Sequence, residues 1–236
     1  MPKFRRAQHQ AVEKLAQALD RDFLLDAQCF LGGGTQVALT HGEYRESLDL
    51  DFLCSSRSGY RKLRETVTEG SLGKILARPV RLARDVRIAN DGIRAVLDVD
   101  GHAIKVEFIL EARLDLHGTI QEPLHLPTLD FDLVVAEEFL ANTDRGLDDA
   151  TFSRDLVDLA YLAYNHGLTA LRPGLALARD AYGKKPVDRC LGLSLAKVTG
   201  PGATNRIAKS LGIDDPAPLR SGLSRLKKLL VRDVER

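Results

Sequence analysis

The chain has 236 residues, 44% of them hydrophobic and 28% charged, and a net charge of +1. That length suits one large domain or two small ones with a sizeable core, and no apolar run is long enough to cross a bilayer. The N-terminal MPKFRRAQHQ lacks a signal-type apolar stretch, and Cys29, Cys54 and Cys190 make neither a CxxC pair nor a zinc pattern with the six histidines, so reduced thiols and a cytoplasmic location are expected.

Residues 11–27 carry apolar side chains at helical spacing, with an end expected near Arg21–Asp22. An apolar stretch, Cys29–Leu31, then leads into Gly32, Gly33 and Gly34, and the run from Thr35 to Gly42 reads as a second short helix. In SLDLDFLC, residues 47–54, Leu48, Leu50 and Phe52 alternate with Ser47, Asp49 and Asp51, the period of a strand. Residues 59–76 read as helical with a break near Gly70–Gly73. IRAVLDV (93–99) and HAIKVEFIL (102–110) flank Asp100–Gly101, a strong hairpin signal. A further short strand is expected around Leu124–Leu126. From residue 130 the pattern turns helical, over 134–143, 149–166, 174–182, 187–198, 203–211 and 216–234, with Gly167, Pro173 and Gly183 closing elements. The expected architecture is α+β: a sheet-containing domain of residues 1–130 and an all-helical domain of residues 131–236. Charge divides unevenly, with a net of −6 over residues 1–183 and +7 over 184–236. The basic segment is either a solvated helix face or a phosphate-contacting surface. With no aromatic residue after Tyr182, any nucleic-acid contact there is electrostatic.

The chemistry concentrates in the Gly-rich turn, Asp49 and Asp51, and the hairpin strand. Carboxylates at i and i+2 on a strand point to one face, where their oxygens can converge on a hard cation such as Mg²⁺. Two such ions held by three carboxylates stabilise the attacking and leaving oxygens of an in-line displacement. Glu107, on the later strand, is the natural third carboxylate, and Lys105, two residues before it, is a cation suited to phosphate. Glycines without Cβ let backbone N–H groups approach phosphate oxygens, and a helix starting at Thr35 adds its N-terminal partial charge and a hydroxyl donor. Taken singly, the acidic pair reads as a strand face, the glycines as a tight turn, and Lys105 with Glu107 as a surface pair; the order of all of them is the specific signal.

In that order the chain resembles the polymerase-β-like nucleotidyltransferase superfamily. More narrowly, LGGGT…YRESLDLDFLC, KVE and the later SRDLVDL are similar to the AbiEii/AbiGii-type nucleotidyltransferase toxins of bacterial toxin–antitoxin and abortive-infection systems, over roughly residues 28–166. The resemblance implies a polymerase-β-like core, in which a mixed or antiparallel sheet is flanked by helices, followed by a helical domain. It implies that Gly33, Gly34 and Thr35 face the nucleotide phosphates, that Ser47 supports them, and that Lys105 touches the nucleotide. Asp49, Asp51 and Glu107 would hold Mg²⁺ or Mn²⁺, and Arg154, Asp155 and Asp158 match an RDxxDL helix whose first Asp counts as an active-site residue. Where the family has Lys, seven residues before Arg145, this chain has Glu138, so either Arg145 or another cation takes the role of contacting the nucleotide, or nucleotide use differs, or activity is weakened. The implied activity is transfer of a nucleotidyl group from an NTP to RNA (tRNA included) or to protein, with Asp51 or Glu107 receiving the acceptor proton, and with a cognate antitoxin as partner. The alternatives are a catalytically weakened nucleotide- or partner-binding module on the same fold, and a helical nucleic-acid-binding protein that works through its basic C-terminal segment.

Overall fold

Residues 3–232 are described by the structure, a computed structural model. The elements run α1 (Ala7–Ala16), α2 (Arg21–Asp26), β1 (Cys29–Gly32), α3 (Gly33–Thr40), β2 (Leu50–Cys54), α4 (Arg57–Thr66), β3 (Arg81–Ile88), β4 (Gly92–Val99), β5 (His102–Leu110), β6 (Gly118–Gln121) and β7 (Leu126–Leu129). Then come α5 (Phe131–Arg145), α6 (Arg154–Tyr182), α7 (Lys184–Thr199), α8 (Ala203–Ser210) and α9 (Ala217–Arg232). Residues 233 and 234 of the last expected helix lie outside the described residues. The fold is therefore α+β, with a mixed sheet and a helical C-terminal region. No helix among the described residues is long and apolar enough to cross a membrane.

Contacts divide the chain into two compact units: Met1–Glu43 with Ser47–Asp130, and Phe131–Arg236 with Tyr44–Glu46. The single cut expected at 130/131 omits that exchange of three residues. Tyr44 and Arg45 cluster with the helical unit because both bond Asp158 of α6.

In the first unit the strands form one sheet in the order β3-β4-β5-β2-β1-β7-β6. The β2–β5 and β1–β7 pairs are parallel and the others antiparallel. Leu50, Phe52, Val106 and Phe108 are buried in the core cluster, where Phe52 and Phe108 stack with ring centroids 5.1 Å apart. The hairpin falls at Asp100–Gly101, both at positive φ, as the favoured two-residue turn requires. The single helix expected over residues 11–27 is split. Asp20 caps α2 by accepting from the Phe23 N–H at 2.9 Å, while its own N–H donates to the Ile75 carbonyl. The expected strand 47–54 is shorter, starting at Leu50. Its β1 partners begin opposite Asp51 and its β5 partners opposite Leu50, so Ser47–Asp49 have no ladder to join. The expected short strand near 124–126 is β7, which begins at Leu126. Strands β3 and β6 carry too little alternation to be seen in the sequence; the burial pattern of β3 is nearly all exposed.

In the second unit α6 packs against α5 and α9. It runs through Gly167, whose φ of 77° and ψ of 166° are non-helical, so two helical stretches abut there, as Gly167 led one to expect. Pro173 lies inside the second stretch and does not close a helix. A Cβ on Gly222 of α9 would lie 1.9 Å from the Ala160 carbonyl oxygen, so only glycine lets α9 come this close to α6.

Candidate active site

The first unit builds its site on the end of β1 and the strands beside it. Gly33, the first residue of α3, has φ +70°, a region that glycine adopts without strain. A Cβ there would sit 3.0 Å from Asp51 Oδ2, so the Asp51 carboxylate rests against the backbone of the Gly-rich turn, at the start of a helix where partial positive charge favours an anion. The helix starts at Gly33, two residues earlier than expected.

Register assembles the rest. Asp51 lies beside Glu107 in the β2–β5 ladder, and Glu107 lies beside Arg94 in the β4–β5 ladder. Directly paired residues share a sheet face, so Asp51, Glu107 and Arg94 form a row, with Lys105 two residues before Glu107 on the same face. Arg94 Nε donates to Glu107 Oε1 at 2.8 Å, and Lys105 Nζ pairs with Glu107 Oε2. Asp49, half-buried, stands two residues before Asp51, just outside β2. Among the described residues no three His, Cys, Asp or Glu side chains are grouped so as to hold a metal ion. In this arrangement Glu107 is an ion-pair partner of two cations, and the carboxylate set against the Gly-rich turn is that of Asp51.

The approach to Asp49 is held by a polar chain that is partly buried at Ser47 and fully buried at His9. Thr35 and Ser47 hydroxyls lie 2.6 Å apart. The Ser47 N–H donates to His9 Nε2 at 3.3 Å, which leaves Nδ1 to carry the proton toward Glu43 Oε1 at 2.8 Å. Glu43 also accepts from the Arg5 and Arg6 N–H groups. Burial pushes its carboxyl pKa up, but these donors outweigh burial and hold it below the ordinary value. His9 is fully buried on the inner face of α1 with Val12, Leu15 and Ala16. The spacing on α1 marks it as inward-facing; nothing in the sequence names its partners.

The second unit contains the remaining expected residues. Arg145 forks onto Asp155, Nε to Oδ2 at 3.0 Å and the terminal nitrogen to Oδ1 at 2.9 Å. Arg45 forks onto Asp158 at 2.7 and 2.6 Å, with both side chains almost fully buried, and Tyr44 donates to Asp158 Oδ1 at 2.5 Å while its ring stacks on Tyr161. Burial alone would lower the Arg45 guanidinium pKa, but the Asp158 carboxylate raises it above the ordinary value. Glu138, which replaces the Lys that the family resemblance calls for, is 2% exposed. Burial, then the Asp158 and Asp155 carboxylates, push its pKa well up, against Arg45 and Arg145. A carboxyl whose folded pKa lies above its unfolded value of about 4.3 contributes its full stability only below that value, and the contribution is lost as pH rises toward the folded pKa. Glu138→Gln is therefore expected to raise Tm at pH 8 by about 2–4 °C for each kcal/mol recovered, and to raise it much less at pH 5. Calorimetry at the two pH values checks this, and equal shifts at both would reject it.

The structure thus brings Asp51, Glu107 and Lys105 onto one sheet face, links Thr35 to Ser47, and pairs Arg145 with Asp155 in the other unit. It adds Arg94, His9, Glu43, Tyr44 and Arg45. Arg94 was within reach of the sequence: a two-residue turn pairs Val99 with His102 and, counting outward, Arg94 with Glu107.

The model of the family described as "Nucleotidyl transferase AbiEii toxin, Type IV TA system" matches residues 17–224. A crystal structure of a candidate nucleotidyltransferase from H. pylori is similar in fold, with a TM-score of 0.52 and 19% identity, covering 97% of this chain and 98% of that one. A second, JHP933 from Helicobacter pylori, has a TM-score of 0.47 and 20% identity, covering 96% and 95%. Comparison with curated proteins gives no match.

Proposed function

The chain belongs to the AbiEii nucleotidyl transferase toxin family, and from that premise we propose that it transfers a nucleotidyl group from an NTP to an RNA acceptor, tRNA among the candidates, in a metal-dependent reaction. The observation that carries this reading is the Asp51 carboxylate set against the Gly33 backbone and in register with Glu107. Residues 1–130 are the nucleotidyltransferase core in this reading, and residues 131–236 the helical domain.

The donor set suits a hard divalent ion, Mg²⁺ or Mn²⁺: Asp49 and Asp51 would hold it, with Glu107 as a third ligand once Arg94 and Lys105 release an oxygen. When bound, such an ion neutralises triphosphate charge and stabilises the attacking and leaving oxygens. Everything else falls to the chain. Backbone N–H groups of Gly33 and Gly34 and the Thr35 hydroxyl meet the phosphates, and Ser47, linked to Thr35 and through its N–H to His9, keeps that loop in place. Lys105 and Arg94 set the charge around Glu107, and Asp51 or Glu107 takes the acceptor hydroxyl's proton. The family resemblance also assigns a nucleotide contact to Arg145, which Asp155 orients within the second unit. As a member of a type IV toxin–antitoxin family, the chain has an antitoxin as its expected functional partner.

Incubation with each labelled NTP, Mg²⁺ or Mn²⁺ and total cellular RNA is expected to label RNA. Label on protein instead would overturn the RNA acceptor. NTP binding without transfer would favour the second reading, a catalytically weakened nucleotide-binding module, which the buried Glu138 in place of Lys supports.

A further inference from the structure

An RNA acceptor needs a binding surface of its own, and the first unit has a second surface suited to it. A cavity of about 520 Å³ opens between α4 and the ends of β4 and β5, lined by Arg57, Tyr60, Arg61, Arg64, Asn90 and Leu110. Arg57, Arg61 and Arg64 follow the i, i+4, i+7 stripe of one helix face and span about 10 Å along its axis. All three are exposed, and none forms an ion pair among the described residues, whereas Lys62 on the same helix is tied to Asp26. Glu65, also on the cavity wall, is the one acidic side chain there and leaves the lining net positive. Tyr60 anchors the floor: it is buried and its hydroxyl donates to the Ala89 carbonyl at 3.0 Å, which joins α4 to the β3–β4 turn. Arg84 and Arg87, exposed on the edge strand β3, lead into that turn. Residues 57–94 hold ten Arg and Lys against four Asp and Glu, in a unit whose remainder is acidic.

We propose that this arginine-lined cavity binds the phosphate backbone of the RNA acceptor. Guanidinium forks suit phosphate oxygens. A row of them continued by β3 matches the repeated phosphates of a polynucleotide, where a free nucleotide or a single phosphoresidue would call for convergence on one point. Leu110 is three residues beyond Glu107 on β5, about 10 Å along the strand and on the opposite face of the sheet, so an RNA held here brings its end to the Asp51–Glu107 row by passing round the end of β5. The proposal rests on the RNA-acceptor reading and relocates the nucleic-acid contact from the basic C-terminal segment to α4.

The test is equilibrium binding of the full chain to fluorescein-labelled tRNA and to a labelled single-stranded RNA, by anisotropy, without NTP and in EDTA, over a series of salt concentrations. Arg57→Gln/Arg61→Gln/Arg64→Gln is expected to weaken binding about 10–100-fold and to flatten the slope of log K against log[salt] by about 2, while Arg→Lys at the three positions keeps most of the affinity. Matching melting curves exclude unfolding, and single Arg→Gln variants serve if the triple does not fold. If the unaltered chain does not bind RNA, the acceptor reading itself fails. If it binds, and the Gln variants bind with the same affinity and slope, this surface is not the site.

Discussion

Asp51→Asn is expected to lower nucleotidyl transfer by on the order of 10²–10³-fold, the scale of losing one preorganised electrostatic contact to the transition state, with the melting temperature nearly unchanged. Asn has the shape of Asp, so the packing against Gly33 survives; what disappears is the charge beside the helix start and in register with Glu107. The measurement is the initial rate of label transfer across a Mg²⁺ titration, with Asp49→Asn in parallel. A metal site predicts that both variants need far more Mg²⁺ and that the double variant is little worse than either alone, since residues acting as a unit are not additive. Transfer at the parental rate in Asp51→Asn would sink the metal reading of this carboxylate.

Arg45→Met is expected to destabilise the helical unit by about 3–5 kcal/mol, the cost of breaking a buried ion pair from one side. It would leave Asp158 buried without its guanidinium and beside the Glu138 carboxyl. The matching expectation is that Arg45→Met/Asp158→Leu recovers most of that loss, because removing both charges removes the desolvation burden as well. Urea unfolding of the three proteins decides the matter. If the single variant melts like the parent, or if the double is worse than the single, the pair does not carry the stability assigned to it. A catalytic role for Asp158 would appear separately, as lost transfer in the rescued double variant.

The features that were readable in the sequence are those encoded locally. The Asp-Gly turn fixed the hairpin because two positive-φ residues select that turn. The alternation around Asp49 and Asp51 marked a strand because one face is buried, although the sequence could not show where its neighbours stop. Strand β3 escaped notice because an edge strand with Arg81, Arg84 and Arg87 facing solvent has no apolar period to detect. Within the site, Gly33, Asp51 and Glu107 were legible from type and order, whereas the two cations that hold Glu107 required the register. Arg45 and Asp158 lie 113 residues apart, and no periodicity joins such positions. Glu138 stood out as a departure in the sequence; its burial, and so the neutral form it favours, depends on packing in the helical unit.

Tyr44, Arg45 and Glu46 carry a last implication, for the gene and its history. Since these three residues belong with a unit that otherwise starts at Phe131, no single breakpoint divides the coding sequence into two self-sufficient modules. A chimera that takes its helical half from a relative by recombining at residue 130 inherits the new Asp158 and Glu138 positions together with the old Arg45. Exchange between family members is therefore constrained to pairs already compatible at these positions, or to events that also carry the triplet upstream of Asp49.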